Sequence, residues 1–405
     1  MPTFMKISGL ETVRVGAYPN LCFVRVQTDE GIVGLGETFF GAAEIESYLH
    51  GTAAPRLLGC DPLQVDRLAQ ALKPYVGATS TGAEMRGNSA VDIALWDILG
   101  KVCGQPLYQL LGGASRESIP VYNTCAGPQY IRTPGGQAVA NWGLPGNGSS
   151  GRYEDLDGFL HHAGDLARDL LDSGVRAMKI WPFDPYAERW AGQYIRPDEL
   201  QAALEPFRKI RAAVGEEMEI LAELHGLWNL PAARQIVRAL EDFRPMWIED
   251  PLRPGFQPVT LRELASVTSS VFALSETLAG RGAYLPLLEQ GLVGVVLVDL
   301  AWCGGVGEAK KIASLAEAYL TPVGLHDCTG PVTLVASTHL SVNVPNAFVQ
   351  ETVRAHYHGW YGELVTELPP IEAGRIRPPP GPGLGTELRP EIPRRPDARA
   401  RTTSR

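Results

Sequence analysis

From Ser118 onward, short apolar runs alternate with segments in which apolar residues recur at helical spacing, as they do over 232–240 and 307–319. Eight strands separated by helices predict an α/β fold of the (β/α)8 TIM-barrel type. The alternative is an open doubly wound sheet, but no GxGxxG fingerprint follows any of the runs. The runs that we predict to be the eight strands are residues 119–125, 176–181, 219–225, 246–249, 271–276, 295–299, 321–326 and 347–351.

The first 117 residues follow a different pattern, which predicts a separate small α+β domain. Residues 7–14 and 21–28 are rich in β-branched side chains, and the turn sequence Asp29-Glu30-Gly31 precedes a third such run over 32–37. A helix is predicted next, and Gly104 and Pro106 end it. Its apolar positions share one helical face and are Val91, Ala94, Leu95, Ile98 and Val102.

Two segments fit neither domain. Residues 128–151 are rich in Gly, Pro and Asn and are too long for an ordinary connection between a strand and a helix. They follow the first barrel strand, so we interpret them as a lid over the strand ends, with a loose insertion as the alternative. Residues 389–405 carry six arginines among prolines and small polar residues. We predict that this tail is disordered, and a specific anion-binding role is the alternative.

Composition narrows the class of protein. The chain has 405 residues, enough for two domains, and a formal net charge of -9, which disfavours a nucleic-acid partner. No apolar run reaches the ~18 residues that span a membrane, and the first residues contain no continuous apolar signal segment. The six cysteines form no CxxC pair. We therefore expect a cytoplasmic protein with reduced thiols and no membrane partner.

Ionisable residues stand at the ends of seven consecutive predicted strands. From the third strand onward the carboxylates and the last histidine recur at intervals of 23 to 27 residues, which is one strand–helix unit each time. Because the carboxyl ends of barrel strands converge on one mouth, these side chains are predicted to share one cavity. They are Lys179, Glu223, His225, Glu249, Glu276, Asp299, His326 and Glu351.

Three of these carboxylates, Glu223, Glu249 and Glu276, stand on adjacent strands and suit a hard divalent cation. Oxygen ligands favour Mg²⁺ over zinc, and Mg²⁺ leaves positions open for substrate oxygens. The alternative is that one of the three forms an internal salt bridge with Lys179.

Asp299 and His326 end neighbouring strands. A carboxylate beside an imidazole fixes its tautomer and raises its basicity, so His326 is predicted to be a general base. The alternative is a histidine with only a structural hydrogen bond. Asp250 and Asp327 adjoin candidate residues, but neighbours along a strand point to opposite faces, so we expect neither in the site. The remaining histidines without convergent partners are expected at the surface and are His161, His162, His356 and His358.

Five motifs follow one another along the chain. They are Val33-Gly34-Leu35-Gly36-Glu37, the helix sequence SAVDIALWD over 89–97, Trp247-Ile248-Glu249-Asp250-Pro251, Ser275-Glu276-Thr277, and Asp299 followed by Gly304-Gly305-Val306 and His326. In this order they resemble the enolase superfamily, in its mandelate racemase subgroup, over nearly the whole chain up to Leu388. The resemblance implies that residues 1–117 are an α+β capping domain, 118–355 the barrel, and 356–388 a return segment that packs on the capping domain.

The resemblance implies Mg²⁺ on Glu223, Glu249 and Glu276, a base dyad of His326 with Asp299, and an enediolate formed by loss of the proton α to a carboxylate. Lys179 would lie near that carboxylate, and Glu351 would hydrogen-bond to it. Two positions depart from the family. Glu223 stands where Asp is common, and the family's Lys-x-Lys becomes Lys179-Ile180-Trp181, which argues against two-base racemisation.

The segment Glu223-Leu224-His225-Gly226 resembles sugar-acid dehydratases in which the histidine is a general acid. We therefore predict a Mg²⁺-dependent hydro-lyase that removes the α-proton of an aldonate or aldarate and expels the 3-hydroxyl, giving a 2-keto-3-deoxy acid. The alternatives are an epimerase or racemase, a cycloisomerase, and a non-catalytic scaffold. The resemblance also implies a homo-oligomer. Specificity is expected from residues 18–20 and 38–40, from Arg86 and from the 128–151 loop.

Overall fold

The structure is a computed structural model that describes residues 5–73, 81–134, 136–144, 152–255 and 257–405. The N-terminal domain pairs three antiparallel strands with the long helix α4. All three sequence-predicted strands and this helix are present, and their ends move by up to three residues. The elements are β1 Ile7–Val15, β2 Tyr18–Thr28, β3 Val33–Phe39, α1 Ala42–Tyr48, a π-helical turn Leu49–Ala53, α2 Ala54–Leu57, α3 Val65–Leu72, α4 Ala83–Cys103 and α5 Leu107–Leu110.

The contact between β3 and α4 explains the glycines of the Gly-x-Gly motif. A Cβ atom on Gly34 would lie 2.0 Å from the carbonyl oxygen of Ala94, and one on Gly36 would lie 1.9 Å from that of Ala90. Only glycine allows the strand to approach the helix backbone this closely.

The second domain is a closed barrel, which confirms the predicted fold. Eight parallel strands pair in sequence order, and β11 closes the ring on β4. Several strands, such as β9, are buried at every position, as expected for parallel strands covered by helices. The strands are β4 Ile119–Thr124, β5 Ala177–Ile180, β6 Glu219–Glu223, β7 Trp247–Glu249, β8 Phe272–Leu274, β9 Val295–Val298, β10 Val323–Leu325 and β11 Ala347–Thr352.

Helices surround the barrel, and five of the connections contain a single α-helix among the described residues. Short 3-10 turns at Val139–Asn141 and Glu241–Phe243 add to them. Within the described residues, no helix combines the length and apolarity that a membrane span requires. The helices are α6 Asp155–His161, α7 Ala163–Asp172, α8 Asp184–Arg189, α9 Pro197–Ala203, α10 Glu205–Val214, α11 Leu230–Leu240, α12 Pro258–Ala265, α13 Arg281–Glu289, α14 Gly305–Ala318 and α15 Pro331–Asn343.

Two buried carboxylates of the first domain bond to later parts of the chain, Glu37 to the barrel and Asp97 to the C-terminal segment. Glu37 accepts hydrogen bonds from the backbone N–H groups of Val332 (3.2 Å) and Thr333 (2.9 Å), at the N-terminus of α15. Asp97 accepts the N–H groups of Leu35 and Leu384, each at 2.9 Å. A carboxylate at a helix N-terminus satisfies free N–H groups and favours the helix dipole. Glu37 of the 33–37 motif and Asp97 of the 89–97 motif therefore hold the first domain against the barrel and the C-terminal segment.

The C-terminal part returns to both domains. Within 356–388, the carbonyl oxygen of Gly383 accepts the N–H of Leu107 at 2.8 Å, so this segment contacts the first domain. Earlier in the same segment, residues Arg375–Ile376 form strand β13, which pairs antiparallel with β4. The elements are α16 Arg354–His356, a π-helical turn Tyr357–Tyr361, α17 Gly362–Leu364, β12 Ile371–Glu372, β13 Arg375–Ile376, a 3-10 turn Ile392–Arg394 and β14 Ala398–Ser404.

The prediction that residues 389–405 are disordered is wrong. Strand β14 pairs antiparallel with β1, from Gly9 opposite Ser404 to Val15 opposite Ala398. The N–H and C=O groups of an edge strand need partners, and backbone pairing supplies them whatever the side chains are. The arginines and small polar residues predict exposure correctly, because most of β14 is exposed, but they do not predict disorder.

Four histidines were expected at the surface, and three of them are there. His161, His162 and His358 are exposed, whereas His356 is buried. Its ring centroid lies 5.1 Å from that of Trp360, within the aromatic residues of the return segment. The expectation for His356 was wrong because α16 follows the last barrel strand directly and packs inward.

Candidate active site

The ionisable side chains at the strand ends meet in a cavity of about 200 Å³ at the barrel mouth. Glu249 and Asp299 are each 0% exposed and lie behind the cavity wall. The capping domain and the 128–151 loop complete the wall above them. The residues from the strand ends that line the cavity directly are Lys179, Glu223, His225, Glu276, His326 and Glu351.

Lys179 lies at the bottom of this cavity among carboxylates. Its Nζ atom is 2.8 Å from Glu249 Oε1, 2.9 Å from Glu351 Oε1 and 3.6 Å from Glu223 Oε2. Burial lowers the pKa of Lys179, but the charges of Glu249 and Glu351 outweigh burial and hold that pKa well above its ordinary value. Lys179 is therefore a fixed cation, and it forms the internal salt bridge that the sequence left open as an alternative.

The three predicted metal ligands stand at the ends of the adjacent strands β6, β7 and β8. Glu223 and Glu249 occupy paired positions on β6 and β7, and burial raises the pKa of Glu223 to about 7 although Lys179 lowers it. In the part of the chain that the structure describes, no three His, Cys, Asp or Glu side chains form a ready metal cluster. One of the three, Glu249, is paired with Lys179.

The donor chemistry nevertheless fits a hard divalent cation. All the donors are carboxylate oxygens, and Oε2 of Glu276 is buried with no hydrogen-bond partner among the described residues. A buried, unpartnered carboxylate oxygen is costly unless a positive ligand or a donor reaches it. Glu223, Glu249 and Glu276 are thus the residues that could hold the ion.

His326 and Asp299 form a buried dyad. The imidazole Nδ1 lies 2.6 Å from Asp299 Oδ2, and Asp299 Oδ1 accepts the N–H of Ala301 at 2.7 Å. Nδ1 therefore carries the proton, and Nε2 faces the cavity, 3.6 Å from Glu351 Oε2. Burial lowers the pKa of His326, but Glu351 and Asp299 raise it to about 10. The site stabilises the imidazolium that forms when His326 accepts a proton.

A second histidine–aspartate dyad faces the first one, and sequence reasoning missed its carboxylate. His225 Nδ1 lies 2.8 Å from Oδ2 of Asp184, which begins α8 just after the second barrel strand. Burial lowers the pKa of His225, but Asp184 raises it by more. The position of Asp184, five residues after Lys179, was the available signal. Because Asp184 lies beyond the end of the strand, the pattern of ionisable residues at strand ends did not include it.

The backbone turns sharply after β6 and β7, and the prediction that Asp250 lies outside the site is therefore wrong. Asp250 lines the cavity, although strand alternation predicted that it would not. Asp250 has a φ of 39° and His225 a φ of 48°, so both have left the strand conformation. Ser275 Oγ donates to Asp250 Oδ2 at 2.7 Å. Asp327 is buried outside the cavity lining, as expected.

The 128–151 loop reaches the site, although its residues 135 and 145–151 lie outside the described part. Tyr130, Ile131 and Gln137 line the cavity, and Nε2 of Gln137 lies 3.1 Å from Nε2 of His225. Asn20 of the first domain donates to the carbonyl oxygen of Ile131 at 3.1 Å. The described part of the loop is therefore held over the strand ends. The lid function stays a prediction.

Comparisons with known proteins agree with this geometry. Residues 12–112 match the family described as "Mandelate racemase / muconate lactonizing enzyme, N-terminal domain", and residues 162–392 match "Enolase C-terminal domain-like". Together the two matches span most of the chain. The first match ends shortly before the first barrel strand, and residues 113–161 lie in neither match.

Characterised relatives match over nearly the whole length. A D-galactonate dehydratase of Ralstonia nicotianae is 31% identical over 95% of this chain and 92% of its own. A D-xylonate dehydratase of Haloferax volcanii is 29% identical over 95% of this chain and 87% of its own. The crystal structure of an enolase of the mandelate racemase subgroup from Agrobacterium tumefaciens is 49% identical, with a TM-score of 0.87 over 98% of this chain and 99% of that chain.

Proposed function

This chain belongs to the mandelate racemase subgroup of the enolase superfamily, and on that premise we propose that it is a Mg²⁺-dependent dehydratase of sugar acids. Relatives named as D-galactonate, D-xylonate and D-gluconate dehydratases support a hydro-lyase that acts on sugar acids. The reaction removes the α-proton and the 3-hydroxyl as water, and the resulting enol becomes a 2-keto-3-deoxy acid.

The observation that carries the proposal is the pair of dyads on opposite sides of the mouth. His225 follows β6 and His326 follows β10, the third and seventh of eight strands, so half the barrel separates them. Dehydration needs a base at the α-carbon and an acid at the leaving hydroxyl. Two histidines, each held by its own aspartate, provide these two groups.

His326 acts as the base in this proposal. Asp299 holds one proton on Nδ1, so the neutral form of His326, after loss of its Nε2 proton, presents a lone pair to the substrate and accepts the α-proton. Lys179 and Glu351 lie at the carboxylate end of the cavity, where the fixed cation attracts the substrate's negative charge. When bound by the three glutamates, Mg²⁺ would supply further positive charge at the carboxylate oxygens as a Lewis acid.

His225 acts as the acid. Hydroxide is a poor leaving group, so the 3-hydroxyl has to receive a proton as the C–O bond breaks. Asp184 favours the imidazolium, whose Nε2–H would donate that proton. Gln137 then has to present its carbonyl oxygen to Nε2–H or give way to the substrate hydroxyl, because two N–H donors cannot face each other.

The same geometry also suits an epimerase, which is the second candidate. Acid–base groups on both sides of the α-carbon could remove the proton from one face and return it to the other. The two reactions differ in whether the 3-hydroxyl is lost. The product of the reaction therefore distinguishes them.

The test is a screen of aldonates and aldarates with Mg²⁺, which measures 2-keto acid release and, in D₂O, deuterium at the α-carbon of recovered substrate. We expect one configuration to give a 2-keto-3-deoxy acid. Deuterium exchange without any 2-keto acid would replace the dehydratase by the epimerase. Neither reaction, together with no Mg²⁺ binding by calorimetry, would favour the non-catalytic scaffold.

A further inference from the structure

Arg86 lies at the junction of two cavities. Its guanidinium is 4.4 Å from the ring centre of Trp302 and 5.7 Å from that of Phe40. It lines the catalytic cavity, and with Phe40 it also lines a neighbouring cavity of about 650 Å³ under the first domain. Stacking on two aromatic rings fixes the plane of the guanidinium and limits its motion.

In the described part of the chain Arg86 forms no ion pair, and Asp299, the carboxylate whose charge acts on it, is already bonded to His326. Its Nε and Nη1 atoms donate to the neutral carbonyl oxygens of Thr81 (2.5 Å) and Phe39 (2.7 Å). No salt bridge to Arg86 exists within the described ranges, and the residues outside them contain no Asp or Glu at all. Arg14 on β1, which also lines the outer cavity, is paired instead with Glu46 at 3.1 Å.

Arg86 stands at the end of the catalytic cavity that is remote from the substrate's α-carboxylate. Lys179 and Glu351 line only the inner cavity, whereas Arg86 also faces the outer one. Trp302 lies between the two regions, with its ring 5.4 Å from that of His326. A substrate that places its α-carbon at His326 would therefore extend its far end towards Arg86.

We propose that Arg86 binds a second carboxylate at the far end of the substrate, so that the preferred substrates are aldarates rather than aldonates. The inference rests on the proposed dehydratase function and names its substrate class. A guanidinium binds a carboxylate through two parallel charge-assisted hydrogen bonds, which the terminal hydroxymethyl group of an aldonate cannot form. A half-buried, unneutralised guanidinium gains most from an anion, because burial has already removed part of its water.

The first experiment compares kcat/KM for acids matched in configuration, galactarate with galactonate and glucarate with gluconate. We expect the wild type to prefer a diacid. Arg86→Gln should lower kcat/KM for the diacid by roughly 10²-fold and change that for the monoacid by only a few-fold, because removal of one charged partner acts on the paired anion. Arg86→Lys keeps the charge and should restore part of the preference.

Arg14→Gln is the matched control, because Arg14 lines the outer cavity but is already neutralised. It should leave the ratio of diacid to monoacid turnover unchanged. One outcome would overturn the inference and leave the dehydratase function standing. In that outcome the wild type and Arg86→Gln turn over aldonates equally well, and neither dehydrates a diacid. An equal loss for both acids in Arg86→Gln would also overturn it, because Arg86 would then act through the Asp299 dyad.

A second measurement does not depend on catalysis. Adipate and hexanoate have the same chain length, differ in the second carboxylate and lack a 3-hydroxyl to eliminate. Calorimetry with Mg²⁺ should show tighter binding of adipate to the wild type, and Arg86→Gln should remove the difference. If no sugar acid is dehydrated but adipate still binds better, the dehydratase function fails while the anion site stands. If adipate has no advantage, the anion site fails.

Discussion

The ring of His326 depends on one carboxylate, Asp299, which is fully buried and bonded at 2.6 Å. His326→Asn should stop exchange of the α-proton with D₂O, with a loss of at least ~10²-fold, because a positioned general base is removed. Asp299→Asn should lower the exchange rate less, because the imidazole stays but loses its orienting partner. Proton NMR of recovered substrate measures both. Normal exchange in the His326 variant would move the base elsewhere.

His225 offers a test that separates proton abstraction from loss of the hydroxyl. His225→Asn should lower 2-keto acid formation by ~10²-fold or more yet still exchange the α-proton, because His326 and its aspartate are untouched. Asp184→Asn should show the same pattern in milder form, since His225 would lose its 2.8 Å partner. Product release is followed by a 2-keto acid assay and exchange by NMR. Dehydration at the normal rate would rule out His225 as the acid.

Glu249 tests the metal assignment. Glu249→Gln should abolish Mg²⁺ binding and activity, because a neutral amide replaces a carboxylate ligand and the partner of Lys179. Calorimetry with Mg²⁺ gives the binding, and circular dichroism checks that the fold persists. Glu205→Gln, at an exposed position on α10, is the control and should bind Mg²⁺ normally. Turnover at the wild-type rate in Glu249→Gln would show that the metal assignment is wrong.

Barrel topology made most of the site predictable residue by residue. Strand ends converge whatever the exact strand limits are, so Lys179 and Glu351 are neighbours although 172 residues of chain separate them. Asp184 and Asp250 could not be found in the same way. Both lie beyond the strand ends, where the conformation of a turn decides the direction of a side chain, and strand alternation does not extend there.

At the scale of elements, the contribution of β14 to stability is open to test. Arg401 lies opposite Thr12 in the middle of the pairing with β1, at a position where the backbone groups of the two strands bond to each other. Arg401→Pro should lower Tm by a few degrees, because proline has no N–H to donate to β1. Arg401→Ser keeps the backbone donor and should leave Tm nearly unchanged. Calorimetric unfolding of both variants makes the comparison, and equal Tm values would show that β14 adds no stability.

The elements divide into those that side-chain patterns specify and those that backbone partners specify. The eight barrel strands were predicted because a buried parallel strand needs a continuous apolar run. Strand β14 has no such run, and its order depends on the free edge of β1, which is nearly 400 residues away in the sequence. Composition alone therefore predicted its exposure but not its structure.

At the scale of the whole molecule, His339 joins three parts of the chain. It lies on α15 of the barrel, its Nε2 donates to the carbonyl oxygen of Leu384 at 3.1 Å, and its Nδ1 accepts the N–H of Tyr108 at 3.4 Å. One ring nitrogen donates and the other accepts, so only the neutral imidazole satisfies both contacts. Burial lowers the pKa of His339 to about 4, although the bond to Leu384 raises it slightly.

This depressed pKa predicts how stability changes with acidity. The unfolded chain binds a proton at His339 near pH 6.5, whereas the folded protein does so only near pH 4. Between these values the unfolded state binds more protons. The contribution of neutral His339 to the free energy of unfolding is therefore complete above pH 6.5 and is lost as the pH falls towards 4. The full loss amounts to about 3 kcal/mol of unfolding free energy.

Urea unfolding between pH 8 and pH 4 measures this contribution. Other buried groups also titrate, since burial raises the pKa of Glu37 to about 7 and lowers that of His356 to about 3, so the informative quantity is the difference between variants. His339→Gln keeps a donor for Leu384 and should lose less stability below pH 6.5 than the wild type does. His162→Gln, at an exposed position, should follow the wild-type curve. Parallel curves for wild type and His339→Gln would mean that His339 is not held neutral at the junction of the domains.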